Sequence, residues 1–345
     1  MKKMVMIDCD VGVDDALALI LVFHSSELEV KAVTGVNGNV PLDRVFENIQ
    51  KVLCLIHPQH KPLIAKGADQ PLKGRSIYAH SVHGKDGLGG AKIERKEGEE
   101  WWKIYPGRAD ELITKMAHQY PDELTRSTAP SPVSEDGVGK RRSGSTLSLQ
   151  PEPSGRGVEG LTLIATGPLT NLALGLQKDL EGMRKLKEVV IMGGAVRTKG
   201  NITPHAEFNI FVDPLAAKMA IESGLPITLV PLDVTHQVFL TPQGIEERVK
   251  PINNAFSQFV IEAIGYDLAT HLFRGKELIY LHDPLAVGVV IDPNLVRKER
   301  LSLDVETEEG EHYGHISEIK KGPKIDVCLG VDAERFLDLF MSRLA

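Results

Sequence analysis

Residues 4–19, which read Met-Val-Met-Ile-Asp-Cys-Asp-Val-Gly-Val-Asp-Asp-Ala-Leu-Ala-Leu, decide the fold. Met4 to Ile7 predicts a buried strand, and Ala16 to Phe23 is an unbroken apolar run typical of a buried helix. Gly12 is expected to form a tight turn between them. Four carboxylates fall within this turn and its flanks: Asp8, Asp10, Asp14 and Asp15. A strand, a turn and a helix that carry so many acids predict a ligand site.

The acidic cluster needs a compensating charge. Two carboxylates about 5 Å apart repel each other by roughly 3 kcal/mol at an effective dielectric constant near 20. Oxygen-only ligands favour Ca²⁺ or Mg²⁺ over zinc. Helix capping explains Asp14 or Asp15, because a helix N-terminus favours a carboxylate in its first turn. It leaves Asp8 and Asp10 without a reason, so a metal or catalytic role is the favoured interpretation.

Composition sets the class of protein. The chain has 345 residues, of which 42% are hydrophobic and 25% charged, enough for one large domain. Its net charge of -7 and the lack of a basic tract along any predicted helix or strand argue against a nucleic-acid partner. No apolar run reaches membrane-spanning length, and the chain enters a strand at once, so neither a membrane anchor nor a signal peptide is expected. Cys9, Cys54 and Cys328 lack a paired spacing, which predicts a cytoplasmic location.

Strand-like and helix-like segments alternate along the chain. This pattern predicts an α/β fold with a mainly parallel, Rossmann-like open sheet flanked by helices. Further strands are expected at 28–34, 161–165, 189–192 and 227–230, and helices at 45–55, 110–119, 214–223 and 333–344. Segments 301–319 and 324–329 are expected to form late antiparallel edge strands.

One stretch breaks the alternation. Residues 126–160 are nearly half Ser, Gly and Pro and contain the basic cluster Lys140-Arg141-Arg142. Such a composition cannot bury enough apolar surface to offset its ordering entropy. We therefore expect one domain over residues 1–345, interrupted by a disordered insertion at about 126–160.

Five further polar clusters are expected near strand ends. Singly, each is explained by turns, by a helix cap such as Thr170-Asn171, or by a lone surface histidine. Their order along the chain is more informative. The clusters are Gly38-Asn39, the segment from His83 to Gly89, Thr166 to Asn171, Met192-Gly193-Gly194 followed by Asn201 and Glu207-Phe208-Asn209, and His282-Asp283-Pro284.

Together with Asp-x-Asp-x-Gly-x-Asp-Asp, this order resembles the calcium-dependent nucleoside hydrolases, the inosine-uridine-preferring family, from residue 4 nearly to the C-terminus. Cys9 and Val11 stand where Thr and Pro are common in that family, and the insertion is atypical. The resemblance implies hydrolysis of the N-glycosidic bond of ribonucleosides to free base and ribose, through an oxocarbenium-like transition state. It also implies a homo-oligomer, a dimer or tetramer, with a small-molecule nucleoside as substrate.

The resemblance also implies roles for particular residues. Asp10, Asp15 and Asp283, with the main-chain carbonyl of Thr166, would bind Ca²⁺, and Asp10 would be the general base. His282 would assist the departing base, and His83 would either assist it or shape a loop. The substrate contacts would come from seven residues: Asp14, Asn39, Met192, Asn201, Glu207, Phe208 and Asn209. Base specificity stays open.

Three alternatives compete with this interpretation. Asp8-x-Asp10 after an apolar strand also resembles the haloacid-dehalogenase phosphatases, but Gly12 stands where they usually carry Thr or Val. An EF-hand is weaker still, because its glycine and its last acid do not fall in place. A nucleoside-binding protein without turnover would need neither the base Asp10 nor the acid His282.

Overall fold

The computed structural model describes residues 2–95, 98–122, 160–272 and 278–345, with residues 264 and 266–272 described by backbone alone. These ranges contain twelve strands. They are β1 (Lys3–Cys9), β2 (Leu28–Gly35), β3 (Leu63–Lys66), β4 (Lys103–Ile104), β5 (Thr162–Ala165), β6 (Glu188–Met192), β7 (Ile227–Val230), β8 (Phe239–Leu240), β9 (Ile279–Tyr280), β10 (Val296–Val305), β11 (Ile316–Ile319) and β12 (Lys324–Val331).

The helices alternate with these strands for most of the chain. They are α1 (Val13–Phe23), α2 (Leu42–Ile56), α3 (His80–His83), α4 (Ala109–Gln119), α5 (Thr170–Met183), α6 (Phe208–Val212), α7 (Pro214–Glu222), α8 (Leu232–Thr235), α9 (Pro242–Gly244), α10 (Ala255–Leu272), α11 (His282–Ile291) and α12 (Ala333–Leu344). A π-helical turn, Ile245–Val249, and a 3-10 turn, Lys250–Ile252, connect α9 to the segment before α10.

The described strands form one ten-stranded sheet and a small β8–β9 ribbon. The order of the large sheet is β11-β10-β12-β7-β6-β5-β1-β2-β3-β4, parallel except where β10 pairs with β11 and β12. From β1 the chain builds β2 to β4 on one side and β5 to β7 on the other. The order in which strands are added therefore reverses at β1, and such a switch point opens a crevice at the carboxyl ends of the strands.

Side chains of β1 alternate between two apolar layers. Val5 and Ile7 pack with α1, α2, α11 and α12 on one face. Met4 and Met6 pack with α4, α5 and α7 on the other. Helix α1 is buried along residues 13–22, as its unbroken apolar run predicts. The central strand and the helix that carries Asp14 and Asp15 are thus held firmly in the core.

The predicted fold class is confirmed, including the antiparallel edge formed by β10 and β11. The predicted edge segment 301–319 is two strands joined by a connection at 306–315. The predicted edge strand 324–329 lies inside the sheet as β12, antiparallel to β10 but parallel to β7, so its edge position was wrong. Gly12 differs from its expected role, because its backbone is extended (φ -91°, ψ -168°) and it precedes α1 as the N-cap. A β-carbon there would lie 2.8 Å from Asn39 Nδ2 and 2.9 Å from the ring of His83, so close packing is what requires glycine.

The expected insertion at 126–160 lies outside the described residues, except for Gly160. Its described flanks adjoin each other. Leu161 N donates to Tyr120 O at 3.0 Å, and a β-carbon on Gly160 would lie 2.7 Å from the Cα of Asp122. The chain therefore leaves after α4 and returns to β5 at nearly the same place.

Candidate active site

Polar residues converge at the carboxyl ends of the central strands. Asp10 follows β1, Asn39 follows β2, Thr166 follows β5 and Met192 ends β6. These strands are neighbours in the sheet, so their ends meet beside its switch point. His83 instead ends α3, and His282 begins α11 shortly after the β8–β9 ribbon, so these two clusters do not lie at ends of central strands.

Asp10 is fully buried in a cradle of glycine backbone. Its Oδ2 accepts a hydrogen bond from Asn39 N at 2.6 Å. Its Oδ1 is buried and accepts no hydrogen bond from the described residues. A β-carbon on Gly38 would lie 2.0 Å from Oδ2, and one on Gly167 would lie 3.0 Å from Oδ1. The Asp10 carboxylate therefore occupies space that a side chain at Gly38 or Gly167 would fill.

Asp15 is held on both oxygens. Oδ1 accepts from Thr166 Oγ1 at 2.8 Å, while Oδ2 accepts from Gly12 N at 2.9 Å and from Asn39 Nδ2 at 3.2 Å. Asn39 thus bridges Asp10 and Asp15, using its backbone for one and its side chain for the other. Asp14 Oδ2 accepts a hydrogen bond from Asp283 N at 3.0 Å and so links α1 to the start of α11.

The site concentrates negative charge. Burial, and next the charge of Asp15, raises the pKa of Asp10 well above its usual range. Burial, followed by the charges of Asp15, Asp14 and Asp10, does the same to the pKa of Asp283. Burial also raises the pKa values of Asp15 and Glu207. With acids packed so closely, the site favours a cation or a substrate that becomes positively charged.

Glu207 caps the helix that carries Asn209. Its carboxylate accepts hydrogen bonds from Asn209 N, Ile210 N and Gly194 N at 2.9, 3.1 and 2.9 Å. Asn209 Nδ2 in turn donates to Thr166 O at 2.7 Å and to Met192 O at 3.2 Å. A carbonyl oxygen has two lone pairs, so Thr166 O keeps one for another partner.

The outer part of this segment is less buried. Asn201 is exposed, and its Oδ1 accepts from Phe208 N at 2.9 Å. The ring of Phe208 is partly buried. Asn201, Glu207, Phe208 and Asn209 therefore form one continuous wall beside the acidic cluster.

Two histidines lie near the ends of α1 and α11 that carry the acids. His83 Nδ1 accepts from Val13 N, the first residue of α1, at 3.2 Å. His282 Nδ1 lies 2.7 Å from Thr235 Oγ1. Burial, followed by the charges of His236 and His83, lowers the pKa of His282 to about 3, so its imidazole is neutral near pH 7.

Some residues that organise the site escaped the sequence analysis. Asn171 was expected to cap a helix, but its Nδ2 donates to Asp8 Oδ1 at 2.8 Å and to Gly35 O at 3.1 Å. Thr34 Oγ1 also donates to Asp8 Oδ1, at 2.6 Å. Burial still raises the pKa of Asp8 to about 7. Thr34 and Asn171 are far from Asp8 in sequence, so no local pattern predicted these two hydrogen bonds, and none pointed to Thr235.

Within the described ranges, no three or more His, Cys, Asp or Glu side chains are already arranged as metal ligands. Both oxygens of Asp15 and one of Asp10 accept hydrogen bonds from protein donors. The donor set nevertheless fits a hard cation: the open Oδ1 of Asp10, the second lone pair of Thr166 O and the nearby carboxylate of Asp283 are all oxygens.

The helices in the described part of the chain are all too short or too polar to cross a membrane. A sequence profile for the inosine-uridine preferring nucleoside hydrolases matches residues 5–338. The chain is 34% identical to the pyrimidine-specific ribonucleoside hydrolase RihA of Photobacterium profundum, covering 100% of this chain and 99% of that protein.

Two solved structures are also similar. The plant nucleoside hydrolase PpNRh1 has a TM-score of 0.83 and 26% identity, over 100% of this chain and 99% of that one. The purine-preferring ribonucleoside hydrolase from Gardnerella vaginalis has a TM-score of 0.81 and 27% identity, over 99% and 98%.

Proposed function

Because this chain belongs to the inosine-uridine preferring nucleoside hydrolase family and is an N-glycosidic bond hydrolase that acts on ribonucleosides, we propose that it works through the acidic crevice around Asp10. Neither a haloacid-dehalogenase phosphatase nor a binding protein without turnover is favoured. The observation that carries the proposal is that Asp283, far along the chain, meets Asp10 and Asp15 in one buried acidic cluster. His282 is the residue before Asp283, and His83 contacts the segment between Asp10 and Asp15.

A divalent cation fits this cluster, and we assign Asp10, Asp15, Asp283 and the carbonyl of Thr166 as its ligands. Calcium is the proposed ion, because the donors are hard oxygens. When bound, it would supply Lewis acidity toward a water molecule and the ribose hydroxyls.

Asp10 serves as the general base in this scheme. Its Oδ1 accepts no hydrogen bond from the described residues, so it is available to accept a proton from the attacking water. Asn39 N holds Oδ2 at 2.6 Å and thereby fixes the direction of the other oxygen.

The remaining polar residues hold the ribose. Asp14 and Asn39 would receive the 2′- and 3′-hydroxyls, while Asn201, Glu207 and Asn209 would contact the rest of the sugar. Met192 and Phe208 would add apolar contact, and the face of the Phe208 ring would favour the positive charge that develops on the sugar. Fixed dipoles and carboxylates around that charge stabilise the transition state without reorganising.

The two histidines would act on the base. As the glycosidic bond breaks, its electron pair stays on the departing base. His282 would donate a hydrogen bond to that base. His83, which accepts a hydrogen bond from the first residue of α1, would also contact the base. Pyrimidine nucleosides are the proposed substrates, because the relative RihA is named pyrimidine-specific at 34% identity, whereas the purine-preferring structure is 27% identical.

Two wider features belong to the same proposal. We infer a cytoplasmic enzyme of nucleoside salvage, since the three cysteines are free and buried. We also infer a homo-oligomer, a dimer or tetramer, which light scattering of the purified protein can test.

A reducing-sugar assay tests the function. The expected result is release of ribose from uridine and cytidine faster than from inosine or adenosine. Chelation should abolish this release, and Ca²⁺ should restore it better than Zn²⁺. Restoration by Zn²⁺ alone would contradict the ligand assignment, and purine turnover above pyrimidine turnover would contradict the substrate class.

A further inference from the structure

The hydroxyl of Thr235 is placed to control the imidazole of His282. Thr235 is fully buried at the end of α8, and its Oγ1 lies 2.7 Å from His282 Nδ1. The two residues are 47 positions apart. Leu281 N donates to Val238 O at 3.0 Å, so backbone pairing fixes the two segments beside this contact.

Helix α8 is itself anchored to the loop after β6. Leu232 N donates to Gly194 O at 2.8 Å. Asp233 accepts Val196 N and Arg197 N at 2.9 and 2.7 Å. The position of Thr235 is therefore fixed by hydrogen bonds between α8 and the loop that contains Gly194, beside Glu207.

The ring of His282 is confined by neighbouring rings. Tyr280 lies at a centroid distance of 5.4 Å and His236 at 5.7 Å. Nδ1 is bound to Thr235, and Nε2 makes no hydrogen bond with the described residues. One edge of the partly buried imidazole therefore contacts Thr235, while no described residue binds the other edge.

The direction of the 2.7 Å hydrogen bond follows from the hydroxyl. Thr235 Oγ1 has no other hydrogen-bond partner among the described residues. A buried hydroxyl hydrogen needs an acceptor, and His282 Nδ1 is the acceptor in reach. If Nδ1 carried the proton instead, the hydroxyl hydrogen would be left buried without a partner.

We propose that Thr235 is a positioning residue that donates to His282 Nδ1, so that the neutral imidazole carries its hydrogen on Nε2 and offers it as a hydrogen-bond donor to the departing base. This inference rests on the proposed function for its substrate, but the tautomer is a property of the protein alone. In the reaction, the C–N bond breaks and its electron pair stays on the base, while a water oxygen forms the new bond to the same sugar carbon and gives one proton to Asp10. The base then takes up a proton from solvent.

The tautomer can be measured without substrate or metal. In protein labelled with ¹³C and ¹⁵N at histidine, the His282 signals are assigned by their loss in His282→Ala. We expect the hydrogen on Nε2 in the wild type and in Thr235→Ser, which keeps the hydroxyl, and both tautomers in Thr235→Val. A wild-type His282 with its hydrogen on Nδ1 would overturn the proposal.

Kinetics provide the second readout. Thr235→Val should lower kcat on uridine about tenfold, because a misaimed donor weakens transition-state contacts. It should change kcat little on a nitrophenyl riboside, whose leaving group needs no donor. Thr235→Ser should recover most of the loss, and His282→Ala should show a larger loss with the same substrate dependence.

Thr228→Val is the matched control. Thr228 is also buried, and its hydroxyl donates to Glu188 at 2.7 Å, between β7 and β6 rather than at the site. Any loss it causes should be equal on both substrates. Equal losses on both substrates for Thr235→Val would overturn the positioning role. If the wild type cleaves neither substrate, the proposed function fails, while the tautomer measurement still decides the assignment of Thr235.

Discussion

At the scale of single residues, the site depends on how each carboxylate oxygen is used. Asp8 and Asp10 are two positions apart, yet Asp8 is held by Thr34 and Asn171, whereas Oδ1 of Asp10 has no partner among the described residues. A sequence shows that both are acids after a strand. It cannot show which one is satisfied, because the partners of Asp8 lie 26 and 163 residues away.

Asp10→Asn separates chemistry from folding. The amide has the same shape, but it cannot take a proton and it is a weaker metal ligand, so kcat on uridine should fall by at least about 100-fold. Stability should not fall, since the change removes one of several mutually repelling buried charges. The measurements are steady-state kinetics with added Ca²⁺ and a thermal melt.

Asp43→Asn is the control for this change. Asp43 is an exposed carboxylate paired with Lys66, and its loss should leave kcat unchanged. Near-normal turnover of a folded Asp10→Asn protein supplied with Ca²⁺ would exclude Asp10 as the base.

At the scale of elements, the loops after strands shape the site through glycines, which have no side chain. Gly38 and Gly167 follow β2 and β5, and a β-carbon on either would crowd Asp10. The sequence predicted that turns occur there, because Gly-Asn and Gly-Pro are turn signals. It did not predict that these glycines face Asp10. Strand β5 is a neighbour of β1 in the sheet but lies far from it in the sequence.

Gly38→Ala tests this role of the loops. The new β-carbon would lie 2.0 Å from Asp10 Oδ2, so the carboxylate must move. A displacement of about 1 Å can lower turnover about 100-fold, and overpacking destabilises a core by about 1–3 kcal/mol. We expect a loss of activity that exceeds the loss of stability, as measured by kinetics and urea unfolding.

Gly265→Ala provides the comparison within a helix. Gly265 lies in α10, and a β-carbon there would meet no described atom within 4 Å. This change should keep activity and stabilise the protein by about 0.5–1 kcal/mol. If Gly38→Ala behaved like Gly265→Ala, the crowding of Asp10 would not matter for turnover.

At the scale of the whole molecule, alternation of apolar strands and helices was enough to predict the parallel sheet and its antiparallel edge. Strands β1, β5, β6 and β7 are mostly buried apolar runs, and β2 is buried in its second half, so local patterns detect them. The pairing of Asp14 with Asp283 was beyond such patterns, because it joins two helices 269 residues apart. The order of the motifs proposed Asp14 and Asp283 as site residues through family resemblance. Thr235 belongs to no such motif, and only the structure shows its contact with His282.

The segment between α4 and β5 gives a test of the whole chain. Its flanks meet where Leu161 N donates to Tyr120 O at 3.0 Å, so no long connection is needed to join them. Closing a flexible loop costs only about 0.6 kcal/mol for each doubling of its length. Replacing residues 127–158 with a short Gly-Ser linker should therefore leave turnover, Ca²⁺ affinity and melting temperature nearly unchanged or slightly improved.

Limited proteolysis supplies the complementary measurement. The composition of 126–160 predicts early trypsin cleavage at Lys140, Arg141 or Arg142, with activity retained in the nicked protein. Changing these three residues to Ala should slow the cleavage and leave turnover unchanged. A deletion that abolished activity, or that split an oligomer seen by light scattering, would show that the segment contributes to the site or to an interface, and the prediction of a passive insertion would be wrong.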